Sequence, residues 1–283
     1  MKLIVDSGST KTDWICLNDE GQIVFETQTL GLNPQVLSDQ IIEERIINNY
    51  DLYRPRNSIA KIYFYGAGCG TRPPRILLQK VLKSIFPNAD IEVYEDTFAA
   101  VYASTDSGEK SIVCILGTGS NCSYFDGVEI EQRIDSLGFI LMDDGSGNYF
   151  GRQLIRDYYF NKIPSKMAAI FEETFDLSSE TIKTNLYKKP NPNTYLAKFA
   201  RFLIENKANE YSQNLIKKGF DLFIRHQILQ FQNAKDVPIH FIGSIAFYLQ
   251  EELKEVLTSL GLTPGKILKK PIEGLVEHHQ KNA

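Results

Sequence analysis

Two segments of this 283-residue chain place Gly, Ser and Thr where apolar runs break off, and both could grip phosphate. Residues 3–17 read LIVDSGSTKTDWICL, and residues 112–126 carry LGTGSN, at 116–121, between IVCI and CSYF. Each reads as a strand, a polar turn and a second strand. Gly sets no side chain in the way of a ligand, and Ser and Thr add hydroxyls, so backbone N–H groups of two facing turns could hold a polyphosphate. In the first turn Ser9, Thr10, Lys11 and Thr12 supply hydroxyls, amides and one cation; in the second, Gly117, Thr118, Gly119 and Ser120 form the opposing jaw. Asp6 closes the apolar run before the first turn, where its carboxylate would face a hydrated Mg²⁺ on the nucleotide phosphates. An ordinary polar hairpin tip is the plainer reading of either turn taken alone.

A carboxylate able to accept a proton stands at Asp96, after IEVY at 91–94 and before the small-residue segment TFAAVYAS at 97–104. From a strand end it could point into a cleft as a general base, and it could equally be the N-cap of the helix that follows. A second acidic group, MDDGSGNYFGR at 142–152, holds Asp143 and Asp144, with Gly145 and Gly147 allowing close approach of backbone; helix capping is its plainer reading. Asn33 in LGLNP stands before Pro34, either as a turn former or as a polar contact. Gly243 and Ser244, in FIGSIA at 241–246, fall where a strand gives way to a helix.

These residues need elements to carry them, and hydrophobic periodicity supplies an alternating set. After the first hairpin comes a strand near 22–29, then a helix over 34–49 with Val36, Ile41, Ile42, Ile46 and Ile47 on one face and Pro34 at its start. A strand at 59–65, a helix at 75–86, a strand at 91–94 and a short helix at 97–103 follow, an α/β alternation. TDSGEK, at 105–110, separates this part from the second hairpin, where the pattern restarts. Residues 148–233 read as largely helical, with YKKPNPNT at 187–194 as a loop; a strand at 239–242, a helix at 245–260, a strand at 266–268 and a short helix complete the chain. The domains expected are 1–108 and 109–270, the second carrying a helical insertion.

Charged residues make up 23% of the chain and the formal net charge is −4, so no global field recruits nucleic acid or an anionic membrane. No apolar run reaches the roughly 18 residues of a membrane span, and the chain opens on KLIV rather than a basic leader, which sets a cytoplasmic protein with small-molecule partners as the expectation. Cys16, Cys69, Cys114 and Cys122 lack CxxC spacing and read as buried, reduced thiols. His226, His240, His278 and His279 show no metal-ligand spacing, and the last two read as a solvated tail.

With DSGSTKTDW at 6–14, LGTGSN at 116–121 and FIGSIA at 241–246 in that order, the chain resembles the actin, Hsp70 and sugar-kinase superfamily. Within it the likeness is to the N-acetylglucosamine kinase and BadF/BadG/BcrA/BcrD ATPase family, and it covers nearly the whole chain. The resemblance implies an α/β protein of two RNase H-like, actin-like ATPase domains with a nucleotide cleft between them. ATP with Mg²⁺ would occupy the cleft beside a sugar, a C-terminal helix at 271–283 would pack back on the first domain, and a homodimer is compatible with it. It implies that Asp96 takes the proton of the attacking sugar hydroxyl, that Gly243 and Ser244 lie against adenosine, and that Asn33, Asp143 and Gly138 serve the sugar. Asp143 matches the first Asp of the family's GDEGSGYWIGR, and Asp144 its Glu. The chain departs from the pattern where Ser136, Leu137 and Gly138 replace Gly-Trp-Gly, where Met142 replaces Gly, and where PIEGLVEHH at 271–279 lacks a Gly-Ala pair. The function implied is ATP-dependent phosphorylation of a hydroxyl, that on C6, of N-acetylglucosamine or a related amino sugar. The alternatives are a BadF-type ATPase that activates a partner enzyme through an iron–sulfur cluster, disfavoured by the strand-bound Cys residues, and a non-catalytic sugar sensor, disfavoured by Asp6, Lys11 and Asp96.

Overall fold

The structure, a computed structural model, describes residues 1–8, 10–106 and 108–281. The chain divides into two compact units, one formed by Met1–Ser104 with Lys270–Ala283 and the other by Thr105–Lys269. In the first unit β1 (Lys2–Ser7), β2 (Lys11–Leu17) and β3 (Ile23–Leu30) form an antiparallel meander, and α1 (Asp39–Ile47) and α2 (Tyr50–Tyr53) lead to β4 (Lys61–Gly66). Then α3 (Arg72–Ile85) leads to β5 (Asp90–Glu95), and α4 (Asp96–Ser104) follows it without a break. The strand order is β3-β2-β1-β4-β5, with β1, β4 and β5 parallel.

The second unit repeats that plan with β6 (Ser111–Leu116), β7 (Ser120–Phe125) and a two-residue β8 (Ile130–Glu131). Six helices come before the fourth strand: α5 (Gly147–Tyr159), α6 (Ser165–Thr174), α7 (Ser179–Tyr187), α8 (Pro192–Lys198), α9 (Ala200–Glu205) and α10 (Glu210–His226). β9 (Pro238–Ile242), α11 (Ser244–Tyr248), α12 (Gln250–Ser259) and β10 (Thr263–Leu268) finish the sheet, in the order β10-β9-β6-β7-β8. α13 (Ile272–Lys281) belongs to the first unit. No described helix is long and apolar enough to cross a membrane.

Period-2 alternation sorts the first sheet's side chains between two covered faces. Leu3, Val5, Trp14 and Cys16 are buried with Ile42 and Ile46 of α1 and Leu78, Leu82 and Ile85 of α3. Ile4, Ile15, Leu17 and Tyr65 are buried with Ala99 of α4 and Ile272, Leu275 and Val276 of α13. Gly274 is where these two helices meet, since a Cβ there would lie 2.6 Å from the Ala103 carbonyl oxygen.

Four expectations need correction. The helix expected over 34–49 begins only at Asp39, capped by Ser38, because Asn33 first turns the chain by accepting the N–H groups of Gln35 on its side chain and of Val36 and Leu37 on its carbonyl. Val36, at 71% exposure, therefore lies outside the apolar face. The loop expected at 187–194 is shorter, because Tyr187 ends α7 and Pro192 opens α8, where a missing N–H does no harm. The helix expected over 245–260 is two helices, parted at Leu249. His279 is not in a solvated tail: it is buried, shares a 2.8 Å hydrogen bond with the Tyr65 hydroxyl and stacks on Tyr63 at 3.9 Å. Burial first, then His278 and Lys2, hold its pKa down to about 4, so it docks α13 as a neutral ring. All four cysteines are free and buried.

Candidate functional site

The first unit gathers three carboxylates, Asp6 near the end of β1, Asp96 just after β5 and Asp13 on the antiparallel β2, by the ends of the parallel strands, where ligands of α/β sheets collect. Asp6 pairs in register with Asp13 across the β1–β2 hairpin, so the two side chains share one face. Asp13 is buried; its Oδ1 accepts from Gln28 Nε2 at 2.8 Å and meets Lys11 Nζ at 3.0 Å, while Oδ2 faces Lys270 Nζ at 3.5 Å. Asp96 follows directly from β5 as the first residue of α4. Burial, followed by the nearby Asp13 and Asp96, raises the Asp6 pKa to about 7. Burial, followed by Glu95, raises Asp96 to about 6, against the pull of the backbone N–H groups of Thr97 and Asp96 itself. The Asp96 carboxylate thus sits against backbone N–H groups at the start of α4 and still keeps its proton to a higher pH than a free carboxylate.

Among the described residues no group of three or more His, Cys, Asp and Glu side chains converges as a metal cage. Mg²⁺ keeps its waters and asks the protein for one or two carboxylates beside substrate phosphates. Asp6 fits that part, for burial and the neighbouring Asp13 and Asp96 outweigh Lys11 and Lys270 and raise its proton affinity, the mark of a carboxylate in a negatively charged cluster.

The turn itself is closed by the Gly8 N–H on the Lys11 carbonyl at 3.0 Å and the Gly31 N–H on that of Thr10 at 2.9 Å. Thr10 is exposed and Lys11 half-buried, but Thr12 is not at the mouth of the turn. Its fully buried hydroxyl lies 2.8 Å from Ser7 Oγ and donates to the Leu30 carbonyl, because the period of β2 turns it with Trp14 to the opposite face from Lys11 and Asp13. Ser9 lies outside the described residues. Asn33 packs against Gly68, where φ is +81° and a Cβ would lie 2.1 Å from Asn33 Oδ1. Two residues on, Gly70 leaves room for Glu95 in the same way, so the loop after β4 has Asn33 at one point and the Glu95–Asp96 strand end at another.

In the second unit the start of α5 builds the LGTGSN turn. The N–H groups of Gly147 and Asn148 donate to the carbonyls of Gly117 and Thr118 at 2.8 and 3.0 Å, and that of Gly117 to Gly119 at 3.0 Å. Asp143, in the left-handed region at φ 67°, accepts from the Ser120 N–H at 3.2 Å and from Asn148 Nδ2 at 2.8 Å. Its carboxylate is therefore a brace of the turn, and Gly119 is small because a Cβ would lie 2.8 Å from Asp143 Oδ2. Asn148 Oδ1, buried, has no hydrogen-bond partner. Asp144 Oδ2 meets His226 Nδ1 at 2.9 Å. Gly138 turns an exposed loop, its carbonyl accepting from Met142 at 2.9 Å. Gly243 has φ 126° and would, with a Cβ, press within 2.3 Å of the Leu116 carbonyl oxygen, so the start of α11 at Ser244 lies tight against the end of β6.

The sequence reading omitted Asp13, Lys270 and Asn148. Asp13 had a signal, since a hairpin that pairs Ser7 with Thr12 must pair Asp6 with Asp13. Lys270 had none, being brought to the turn by the return of the chain. A cavity of about 600 Å³ between β2, β3 and α13 reaches Asp13 and Lys270 but not Asp6 or Asp96, so it touches only one edge of the acid cluster.

No protein-family model matches the chain. Among solved structures, a Porphyromonas gingivalis protein described as a candidate N-acetylglucosamine kinase is 38% identical, with a TM-score of 0.92 over 100% of this chain and 99% of its own. A Chromobacterium violaceum protein of the same description is 12% identical, with a TM-score of 0.73 over 98% of each chain. A glucokinase of the ROK family from Streptomyces griseus, solved with glucose and AMPPNP, is 13% identical, with a TM-score of 0.60 over 98% of this chain and 97% of its own. The likeness to these last two is one of fold: two units, each a mixed sheet with helices, as in actin-like sugar kinases.

Proposed function

The chain belongs to the N-acetylglucosamine kinase family of ATP-dependent sugar kinases, and from that premise we propose that it transfers the γ-phosphoryl group of ATP to the C6 hydroxyl of N-acetylglucosamine or a related amino sugar. The observation that carries the reading is Asp96, a half-buried carboxylate at the end of a parallel strand whose pKa burial raises to about 6. Such a group holds little charge-stabilising company and is poised to take a proton near neutral pH.

In this reading Asp96 accepts the sugar hydroxyl proton as that oxygen attacks phosphorus. Lys11 and the amides of the β1–β2 turn would hold phosphoryl oxygens, and the amides of Thr118 and Gly119 are donors of the same kind in the second unit. Asp6 would hold a hydrated Mg²⁺, which when bound would neutralise charge on the phosphoryl groups. Asn33 offers its amide nitrogen to the sugar, since its Oδ1 is engaged by Gln35. Asp143 acts on the site through the turn it braces. The ATPase-activator reading lacks an accessible cluster ligand: all four thiols are buried, and burial pushes Cys16 up to about 11 and Cys69 up to about 12.

A panel of sugars with ATP and Mg²⁺, scored for both ADP and sugar phosphate, tests the proposal. N-acetylglucosamine or a close amino sugar should give equal amounts of both products. ADP without sugar phosphate across the panel would leave an ATPase.

A further inference from the structure

Lys11 and Lys270 approach one carboxylate from different parts of the chain, at 3.0 Å from Asp13 Oδ1 and 3.5 Å from Oδ2. Asp13 already has a counter-ion in Lys11 and a hydrogen-bond donor in Gln28, so Lys270 is not required to make its burial tolerable. The arrangement instead sets two ammonium groups side by side, each about two-fifths exposed at 40% and 39%. Like charges so close repel, and an anion lying across both removes the repulsion. The other charged groups facing the pair are Asp6 and Asp13, both acidic, which keep the lysines near the turn without covering them.

The backbone at Lys270 is held firmly. Pro271 follows it, and then α13 docks through Ile272, Leu275 and Val276 in the core, Gly274 against α4 and His279 on Tyr65. The neighbouring Lys269 points elsewhere, its Nζ 4.9 Å from the centre of the Tyr248 ring.

We propose that Lys270 is a second polyphosphate-binding cation of the β1–β2 turn, delivered by the C-terminal return of the chain and set beside Lys11 by Asp13. This rests on the reading of that turn as the phosphate site. A charge-assisted contact to a phosphoryl oxygen is worth roughly 10- to 100-fold in binding.

The test compares Lys270→Met, Lys270→Arg and Lys269→Met with the wild-type chain. Calorimetry gives Kd for inorganic tripolyphosphate and for adenosine, kinetics give KM for ATP and for the amino sugar, and thermal melts give Tm. The expected result is a roughly 10-fold or greater loss of tripolyphosphate affinity and a matching rise in KM for ATP in Lys270→Met. Adenosine Kd, sugar KM and Tm should stay near wild type, Lys270→Arg should recover most of the loss, and Lys269→Met should change nothing. Tripolyphosphate affinity and KM for ATP within twofold of wild type in Lys270→Met would overturn the proposal, as would a loss that follows a fall in Tm and is equal in Lys270→Arg. Wild-type protein that binds tripolyphosphate but yields no sugar phosphate would refute the kinase reading alone and leave Lys270 to be judged by the binding data.

Discussion

The hairpins β1–β2 and β6–β7 stand at the same place in two sheets of the same strand order, and the last pair but one before each turn differs in kind. In one it is Asp6 opposite Asp13, in the other Ile115 opposite Asn121. Charge at that position dictates the surroundings. Around the carboxylates the first unit assembles Lys11, Lys270 and Gln28, because a carboxylate taken from water needs cations and donors. Around the neutral turn the second unit needs only its polar backbone satisfied, and Asp143 with the start of α5 does that. One backbone plan thus supports an ionic turn and a neutral one, and the difference lies in which partners the rest of each unit brings in.

The third strands differ as well, with eight residues in β3 and two in β8. After β3 the chain returns to the sheet through α1 and α2, and after β8 through α5 to α10. A large insertion at such an edge leaves the strand pairing undisturbed, since loop-closure entropy grows slowly with length. It also extends the core of the sheet, with Phe150, Phe171, Phe202, Phe220 and Phe223 buried in one cluster with Ile112, Cys114 and Leu116 of β6. Thus the brace of the second turn comes from the insertion, and the ion pairs of the first come from the sheet and the chain's return.

The largest effect should come from the ionic side. Asp96→Asn is expected to lower kcat by about 10²-fold or more with Kd for ATP and sugar little changed, because the amide still accepts the Thr97 N–H but takes up no proton. Turnover and calorimetric Kd measured on one preparation decide it: lost binding or unfolding with kcat preserved would make Asp96 a cap alone.

The neutral turn should respond in stability. Asp143→Ala strands the Ser120 N–H and Asn148 Nδ2 and puts alanine at φ 67°, a loss of about 2–4 kcal/mol in urea unfolding, with Asp143→Asn losing less because it keeps an acceptor and tolerates that φ. Wild-type unfolding of Asp143→Ala with only sugar KM raised would show that the carboxylate faces ligand rather than the turn.

The ionic cluster should also leave a mark on pH dependence. Asp6 and Asp96 bind their protons more tightly folded, at about 7 and about 6 against 3.8 unfolded, so their contribution is full below about pH 4 and is lost as pH rises through those values. His279 works the other way: with its folded pKa at about 4 against 6.5, its contribution is full above 6.5 and is lost as pH falls towards 4. Without Mg²⁺, Asp6→Asn should therefore make stability rise with pH between about 4.5 and 6.5 more steeply than wild type, by up to about 1.4 kcal/mol per pH unit. His279→Gln should shift the slope in the opposite sense. Equal slopes in wild type and Asp6→Asn would mean that Asp6 titrates as an ordinary carboxylate.

The smallest effect is expected at Thr12. Thr12→Val removes the hydroxyl that meets Ser7 and Leu30 and should lower stability by about 1 kcal/mol, leaving KM for ATP within about twofold. A large rise in that KM would place the hydroxyl at the phosphates after all.

The amino-acid sequence by itself determined the α/β alternation, both glycine-rich hairpins, the strand-to-helix junctions at Asp96 and Gly243, and the positions of Asp6 and Lys11 beside the first turn. Those features depend on side-chain period and on turn chemistry within a few residues, which act before any distant contact forms. Asp13 stood on the border. Its pairing with Asp6 follows from the turn, but its burial depends on Gln28 of β3 and on two lysines from different segments. Only the tertiary structure decided that Thr12 faces the core, that Asp143 braces a turn, that His279 is a buried docking residue and that Lys270 joins Lys11. Each of these follows from which surface meets a segment far along the chain. The energy of such contacts comes from desolvation and packing, which a side chain acquires only when its partner arrives.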